Sequence, residues 1–422
     1  MDTYTSEQEL RQEAIRRRLQ GERRCDICRA LGRSSSWFTK WWAEYRRHPQ
    51  TDFRTGCRAP YTLPRQMPLQ VEEAVVSLRR LFEEAATAET KYGLIGHRVI
   101  RAELERLHIR PLPSLATIQR ILARHGLTHT RGAAADTAYY PELVAWAPNA
   151  IHATDLITRH VRGGEEIQNF HTLDHYTHAV HLSQYSDKTT ICACMHLLSV
   201  WADLGVSCLH QFDNESAFCG GHTHPRVIGR VVRLCLFVGI EPLFIPIYEA
   251  KRNYWIESFH SLWVNAFWSR QEFGDLAQVQ AEVSTFRRWY HTRYQPPCLQ
   301  GKTPAQMRRN THPIRLSSSL RRLIPDPLPI TAGRIHFIRK VDLKGTIHLL
   351  NESWSVGTRW MGEYVWATVD TAEQTLTVWH QKEANTDWKR LKTRRFKLKQ
   401  PVQRLLPAFR RKWPRCREHL PH

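Results

Sequence analysis

The chain has 422 residues, of which 42% are hydrophobic, and its 61 Lys and Arg against 40 Asp and Glu give a net charge of +21. This length predicts two to four domains with sizeable cores, and the positive charge makes a polyanion the first partner to test. No 18-residue apolar run and no hydrophobic leader are present, and the ten cysteines lack framework spacing, so membrane and secreted proteins are excluded and reduced thiols are expected.

Residues 1–50 predict a helix-turn-helix DNA-binding domain. Gly32 can adopt the left-handed conformation that ends one helix, and Ser34 or Ser35 can cap the next. The aromatic residues that share one predicted apolar face are Trp37, Trp41 and Tyr45. The candidate DNA contacts of this domain are Ser36, Thr39, Lys40 and Arg46. A generic helical hairpin is the alternative for this segment.

Residues 69–127 predict a second helical helix-turn-helix DNA-binding domain. Its first helix has an apolar stripe formed by Val71, Val75, Leu78 and Phe82. The next helix has a stripe formed by Ile100, Leu104 and Leu107. Ser114 is placed to cap a last helix, in which Ile118, Ile121 and Leu122 face inward. The candidate DNA contacts of this domain are Thr117, Arg120 and Arg124.

Residues 128–149 are rich in Ala and Thr and predict a linker. Short runs of β-forming residues follow this stretch. Residues 150–310 predict the order β-β-β-α-β-α-β-α, which is typical of a mixed sheet flanked by helices. Residues 328–384 contain five short β-rich runs with Gly turns and predict a small β-barrel domain. Residues 385–422 form a basic tail, interpreted as a flexible grip on the DNA backbone, with solvated charge as the alternative.

Three carboxylates stand where the predicted elements would bring them together. Asp155 lies in the middle of the first strand, Asp213 at the carboxyl end of the fourth strand and Glu257 in the first turns of a helix. A buried carboxylate is costly unless it is paired, and Mg²⁺ prefers oxygen ligands. Such a set can hold two Mg²⁺ ions about 3.5–4 Å apart for in-line attack on a phosphodiester. For any one of them, a solvated or ion-paired side chain is the alternative.

The stretch 150–307 resembles the DDE catalytic core of bacterial insertion-sequence transposases of the retroviral-integrase-like superfamily. Asp155 matches the first aspartate of that family, and Glu257-Ser258-Phe259 preceded by Asn253 matches the segment with its glutamate. Asp213-Asn214 with Phe218 matches the Asp-Asn-x-x-x-Phe element. Further matches are Gly239-Ile240, Pro246, Tyr290-His291-x-x-Tyr294-Gln295-Pro296-Pro297 and Lys302-Thr303-Pro304-Ala305.

The resemblance implies an α/β core of RNase H-like, retroviral-integrase type over 150–310, with DNA cleavage and strand transfer. It assigns catalysis and binding of Mg²⁺, with Mn²⁺ as a substitute, to Asp155, Asp213 and Glu257. Lys251, Arg252 and His260 flank Glu257, which makes them candidates for contacts with DNA phosphates. Two departures are Glu215, where the family usually has Gly, and a longer segment between Asp213 and Glu257, which predicts a longer surface loop within 219–231.

The implied partners are the terminal repeats of a mobile element and target DNA, in the nucleoid of a bacterial cytoplasm. Reactions at two DNA ends need two active sites held together, so a homo-oligomer assembled on DNA is expected. A helper ATPase that selects the target is left open as a further partner, and no membrane partner is expected. The alternatives are a non-catalytic sequence-specific DNA-binding protein (a regulator, or a decayed or domesticated transposase) and a nuclease of the same fold.

Overall fold

The computed structural model describes residues 7–53, 67–84, 96–127, 138–220, 224–384, 386–410 and 420–421, and the chain divides into two units at residues 66 and 67. The α-helices are α1 (Glu7–Leu19), α2 (Arg24–Ala30), α3 (Ser35–Arg47), α4 (Leu69–Glu84), α5 (His97–Arg106), α6 (Leu115–Arg124), α7 (Thr190–Asp203), α8 (Ser216–Cys219), α9 (Arg230–Val238), α10 (Tyr254–Ala266), α11 (Leu276–Thr292), α12 (Pro304–Arg308) and α13 (Ser318–Arg321). The strands are β1 (Ile151–His160), β2 (Glu166–Asp174), β3 (Val180–Tyr185), β4 (Leu209–Phe212), β5 (Glu241–Phe244), β6 (Ile330–Thr331), β7 (Arg334–Lys340), β8 (Thr346–Leu349), β9 (Glu352–Ser355), β10 (Tyr364–Asp370), β11 (Thr375–His380), β12 (Lys389–Arg395) and β13 (Val402–Gln403).

The first unit contains α1, α2 and α3. Gly32 ends the α2–α3 turn with a φ of 62°, and the Ser34 hydroxyl caps α3 by accepting a hydrogen bond from the Trp37 amide at 3.2 Å. The buried face of α3 differs from the predicted one, since Phe38 is buried and stacks on Trp42, which stacks on Tyr45. Of the predicted face, Trp37 packs against this core and Tyr45 stacks on Trp42, whereas Phe38 and Trp42 take the places that the prediction gave to Trp37 and Trp41.

Helices α4, α5 and α6 pack on one another around a small core, as the apolar stripes predicted. The core positions predicted in α4 and α6 are buried, whereas Leu107 at the end of α5 is exposed. Ser114 caps α6 by accepting a hydrogen bond from the Thr117 amide at 3.1 Å. Arg270, which precedes α11, donates to the carbonyl oxygens of Phe82 and Glu83 at 2.7 and 3.1 Å and so fastens α4 to the following domain.

The helices and strands after residue 150 follow the predicted order along the chain. Strands β1, β2 and β3 form an antiparallel meander, and β1, β4 and β5 run parallel, with α7 and α9 as the connections. Parallel neighbours need such crossover helices, which cover the face of the sheet. This five-stranded mixed sheet with the order β3-β2-β1-β4-β5 is an RNase H-like core, so the core prediction is confirmed.

The C-terminal strands differ from the prediction of a separate small barrel over 328–384. Strand β7 pairs in parallel with β5, placing His336 beside Leu243 and Phe337 beside Phe244. Strands β10, β11 and β12 then continue the same sheet in antiparallel pairs, which gives nine strands in one sheet. Part of the basic tail, predicted to be flexible, supplies the edge strand β12. A single sheet therefore spans the RNase H-like core and the C-terminal region.

Helices cover the two faces of the sheet around different apolar clusters. Helices α7 and α9 pack on one face around Phe170, Trp201 and Phe212, whereas α10 and α11 pack on the other around Trp263 and Phe286. Residues 138–149, predicted as a linker together with 128–137, lie against the second face, where Tyr140 packs edge-on against Tyr364 at 5.3 Å. The part of the linker that the structure describes therefore belongs to the packed domain.

A buried chain of polar side chains crosses the α7 face of the sheet. The His210 ring contacts the Thr154 hydroxyl at 2.7 Å, and Thr154 contacts Thr172. Thr172 contacts His196 of α7 at 2.8 Å, and His196 contacts Ser183 at 2.8 Å. All but Ser183 are fully buried, so these groups satisfy one another where no water reaches them.

Among the described residues, no helix combines the length and apolar character needed to cross a membrane. Free thiols, as predicted, are present at Cys25, Cys28, Cys192, Cys194, Cys219, Cys235 and Cys298. Cys208 is an exception to that prediction because it is disulfide-bonded.

Candidate active site

Asp155 and Asp213 lie next to each other because β1 and β4 run parallel. The register pairs Thr154 with Phe212, so the following residues, Asp155 and Asp213, occupy neighbouring positions on the same face of the sheet. Asp155 is 8% exposed, and its carboxylate accepts a hydrogen bond from the Leu156 amide at 2.8 Å. The Asp213 carboxylate accepts one from the Glu215 amide at 3.0 Å. Both carboxylates point toward the α10 face of the sheet.

Helix α10 brings Glu257 to the same place. Gln211, at the end of β4, donates to the Asn253 side-chain oxygen at 2.9 Å and fixes the start of the helix beside the strand. One carboxylate oxygen of Asp155, one of Glu257 and one ring nitrogen of His260 all lie within 4.8 Å of one another. Asp213 lies outside this group and lines the same cavity.

The cavity that these residues share measures about 1350 Å³. Strands β1, β5 and β7, the turn after β4, helix α10 and the β8–β9 hairpin line it. Its charged and polar residues include Asp155, Asp213, Glu257, His260, Arg339 and Ser353. The longer loop before α9 closes this wall, since Arg226 donates from its side chain to Glu352 at 2.8 Å and from its amide to the Leu350 carbonyl at 2.9 Å. The described part of the predicted surface loop therefore packs on the hairpin.

Burial raises the pKa values of the cavity's acidic groups, and for Asp155 and Asp213 the neighbouring carboxyls add to the shift. Burial raises the pKa of the Asp155 carboxyl to about 8, and the negative charge of Asp213 adds to that shift. Burial raises the pKa of Asp213 to about 6, with Glu215 and Glu257 contributing, and burial also raises the pKa of Glu257. Such a crowded set of carboxyls in a partly dry cavity favours a bound cation, which would let all of them ionise.

Glu215, the departure from the family pattern, lines the same cavity. Its carboxylate lies 3.4 Å from the Lys188 ammonium, so the added negative charge is partly balanced. The Glu215 amide donates to the Asp213 carboxylate, as described above. This hydrogen bond closes the turn between β4 and α8, and Glu215 precedes the first residue of α8. Glu215 therefore adds a partly balanced negative charge at the rim, and its amide helps to hold Asp213.

Arg339 is a site residue that sequence reasoning missed. Its guanidinium comes from β7, is buried, and donates to the Asn214 side-chain oxygen at 2.8 Å and to the Ile245 carbonyl at 2.7 Å. Asn214 in turn donates to the Ile245 carbonyl at 2.8 Å. Burial lowers the pKa of Arg339 to about 10, so the side chain stays charged at neutral pH. Only the pairing of β7 with β5 brings it here.

The predicted DNA contacts of the two helical modules lie on exposed or half-exposed helix faces. Ser36, Thr39, Lys40 and Arg46 are exposed on α3. On α6, Arg120 is exposed, Thr117 is half-buried and hydrogen-bonds the Ser114 cap, and Arg124 pairs with Glu72 at 2.8 Å. Of the α6 candidates, Arg120 is therefore the exposed arginine that is not held by the Glu72 pair.

Of the two predicted DNA contacts before α10, Lys251 is exposed, whereas Arg252 is half-buried and engaged within the fold. The Arg252 guanidinium pairs with Glu249 at 3.0 Å, donates to the Tyr364 hydroxyl at 2.9 Å and lies over the Tyr140 ring. These contacts hold the segment before α10 against β10. The side chain of Arg252 therefore joins two parts of the fold.

No protein-family model matches the chain, and no curated protein matches it. Among solved structures, it is similar to the HTLV-2 integrase catalytic core domain in complex with magnesium (dimeric form), at 15% identity and a TM-score of 0.30, over 39% of this chain and 98% of that one. It is similar to the simian T-cell lymphotropic virus intasome in complex with PP2A regulatory subunit B56 gamma, at 14% identity and a TM-score of 0.35, over 72% and 96%. It is similar to the BIV integrase catalytic core domain, at 15% identity and a TM-score of 0.29, over 38% and 93%. At these values the RNase H-like assignment depends on this chain's own strand order and register.

Proposed function

We propose that this protein is a DDE-type DNA transposase or integrase, which cleaves the ends of a mobile element and joins them to target DNA. The observation that carries the proposal is one cavity lined by Asp155, Asp213 and Glu257, two of them side by side on parallel strands and the third on the facing helix. The chain around this acidic cavity has a net charge of +21. A basic protein with an acidic cavity fits a polyanionic substrate that is processed through bound cations.

The donor set fits a divalent cation. Carboxylate oxygens are the ligands that Mg²⁺ prefers. Burial, together with the neighbouring carboxyls, raises the pKa of Asp155 and of Asp213, and a bound cation would offset that cost of ionisation. Asp155, Asp213 and Glu257 would hold Mg²⁺, with Mn²⁺ as a substitute. When bound, two such ions activate a water or a 3′-hydroxyl and stabilise the leaving oxygen of a phosphodiester.

The chain's own residues keep the carboxylates in place. The Gln211–Asn253 hydrogen bond sets the position of Glu257 relative to β4. Arg339 fixes the Asn214 side chain and, with it, the turn that follows Asp213. A site held by a strand register and buried hydrogen bonds is preorganised, as in-line attack requires.

The remaining parts of the proposal concern DNA. Exposed residues of α3 and α6 would read the terminal repeats, and the basic residues of 385–422 would contact the DNA backbone. Reactions at two DNA ends need two active sites, so the active form would be a homo-oligomer assembled on DNA in the bacterial nucleoid. A helper ATPase that selects the target stays a prediction.

Strand transfer is the measurement that tests the proposal. Purified protein, Mg²⁺ or Mn²⁺, a plasmid target and labelled duplexes from both flanks of the gene that encodes the chain are expected to give joined product. Asp213→Asn should abolish joining, because the amide cannot supply an ionised ligand. Asp187→Asn is the matched control, since Asp187 is an exposed carboxylate in the turn before α7.

The other outcomes identify the alternatives. Sequence-selective binding at high salt without nicking or joining would contradict the proposal and support a non-catalytic DNA-binding protein. Metal-dependent nicking that Asp213→Asn removes, with no joined product, would indicate a nuclease of the same fold. A gel shift at low salt discriminates nothing, because a protein with this charge binds DNA of any sequence.

A further inference from the structure

His260 stands where an ion held between Asp155 and Glu257 would meet a nitrogen ligand. It follows Glu257 by three residues on α10, a spacing that places both side chains on one face of the helix. One ring nitrogen of His260 and one oxygen from each carboxylate lie within 4.8 Å of one another. Ligands at about 2.0–2.2 Å from a metal are roughly 3–4 Å apart, so a small side-chain adjustment would close the set.

The surroundings of His260 hold the ring in this position. The side chain is 7% exposed, and His171 of β2 packs edge-on against it at 5.1 Å. Its Nε2 atom is buried and has no hydrogen-bond partner among the described residues. A buried imidazole without a full set of partners is costly, and a metal ion is one group that satisfies it.

We propose that His260 is the third protein ligand of the ion bound by Asp155 and Glu257, so that this ion has mixed oxygen and nitrogen ligands. The inference rests on the proposed function and adds to it the identity of the metal. Imidazole nitrogen is a ligand for first-row transition metals, of which Mn²⁺ is the weakest binder, whereas Mg²⁺ takes oxygen ligands. The site between β1 and α10 therefore binds Mn²⁺ more tightly than Mg²⁺, and the imidazole is the source of that preference.

The test measures metal binding by the full-length protein without DNA. Mn²⁺ affinity is read from the free-ion EPR signal, and Mg²⁺ affinity from competition. His260→Gln is expected to raise the Mn²⁺ dissociation constant roughly tenfold or more while changing that of Mg²⁺ much less. His348→Gln is the matched control, because His348 lines the same cavity outside the ligand set. Circular dichroism and the thermal midpoint establish that both variants are folded.

Pulsed EPR of the Mn²⁺-loaded protein gives a direct readout of the ligand. Coupling to a directly bound nitrogen should be present in the wild type and in His348→Gln, should change when histidine is labelled with ¹⁵N, and should be absent in His260→Gln. Bound Mn²⁺ without nitrogen coupling in the wild type would overturn the inference. A second result would also overturn it: no Mn²⁺ binding by the wild type, or Mn²⁺ binding that Asp155→Asn leaves unchanged.

These outcomes separate the inference from the proposed function. Nitrogen coupling in a protein that joins no DNA would leave the ligand assignment standing and remove the transposase. Joined product from a protein whose Mn²⁺ shows no nitrogen coupling would leave the transposase standing and remove His260 from the ligand set.

Discussion

Arg339 shows how a single buried charge connects the candidate site to a distant part of the chain. The side chain starts on β7 and reaches the backbone beyond β5 and the Asn214 side chain next to Asp213. A further hydrogen bond from its Nε to the His348 carbonyl, at 2.9 Å, holds the β8–β9 hairpin. One guanidinium therefore supports both the floor and one wall of the cavity.

Arg339→Met should destabilise the protein, because the His348 carbonyl and the Asn214 side-chain oxygen would lose the donor that Arg339 supplies. The Ile245 carbonyl would keep only the hydrogen bond from Asn214. Each buried polar group left unsatisfied costs about 1–3 kcal/mol, so a loss of about 3 kcal/mol in the free energy of unfolding is expected. Urea denaturation measures it. Arg359→Met, at an exposed arginine over Trp360, is the control and should change stability by less than about 0.5 kcal/mol. Equal effects of the two substitutions would show that the Arg339 network contributes little.

At the scale of elements, α6 presents two arginines whose surroundings differ. Arg120 is exposed, whereas Arg124 pairs with Glu72 across the module. The same helix begins at a capped, well-defined turn, so its exposed face has a fixed direction.

Arg120→Ala should weaken binding to element-end DNA and reduce the slope of log affinity against log salt by about 1, since one phosphate contact would be lost. Fluorescence anisotropy over a range of salt concentrations measures both quantities. Arg106→Ala on α5 is the matched control, because Arg106 is paired with Glu103. Identical salt slopes for the two variants would place α6 away from the DNA.

The sequence was informative about which elements form and less so about how they pair. Short apolar runs between turn residues correctly predicted β1 to β5 with α7, α9 and α10, because periodicity and turn chemistry are local. The pairing of β7 with β5 is not local, and an amphipathic run looks the same in a barrel as at the edge of a larger sheet. Strand β12 was not predicted because five of its seven residues are Lys or Arg, a composition that is typical of a solvated tail.

The residues of the candidate site that depend on local sequence could be predicted, and those that depend on long-range pairing could not. Asp155, Asp213 and Glu257 could be picked out because each sits at a recognisable point of a predicted strand or helix. Arg339 could not, because its role depends on a contact between distant segments. The position of Arg252 depends on Tyr140, in a segment whose composition resembled a linker. The buried face of α3 failed for another reason, since aromatic residues occupy both of the competing stripes.

At the scale of the whole molecule, buried histidines make stability depend on pH. Burial holds the pKa of His196 and of His210 well below the ordinary value. Below about pH 6.5 the unfolded chain takes up protons that these folded-state rings cannot, so each ring lowers stability as the pH falls. The raised pKa of Asp155 has the opposite effect, because the folded protein then binds a proton more tightly than the unfolded chain and gains stability as the pH falls. The contribution of one histidine is therefore best measured by comparing a variant with the wild type.

His196→Gln should therefore flatten the pH dependence of unfolding. Between pH 7.5 and 5.5, the variant should lose about 1.4 kcal/mol less stability than the wild type, because one proton uptake by the unfolded chain is removed. Denaturant midpoints across that pH range give the measurement, with His312→Gln, an exposed histidine, as the control. Parallel curves for His196→Gln and the wild type would contradict a neutral, buried His196.

The pairing of β5 with β7 also limits how this protein can be divided. A fragment that ended near residue 310 would leave the β5 backbone as an open edge, in the middle of what is now a nine-stranded sheet. It would also remove the guanidinium that Asn214 needs. A chimera joined between 310 and 330 would combine strands from two proteins in one sheet. This boundary looks like a domain junction in the sequence. The segments on its two sides nevertheless cannot be inherited or exchanged independently.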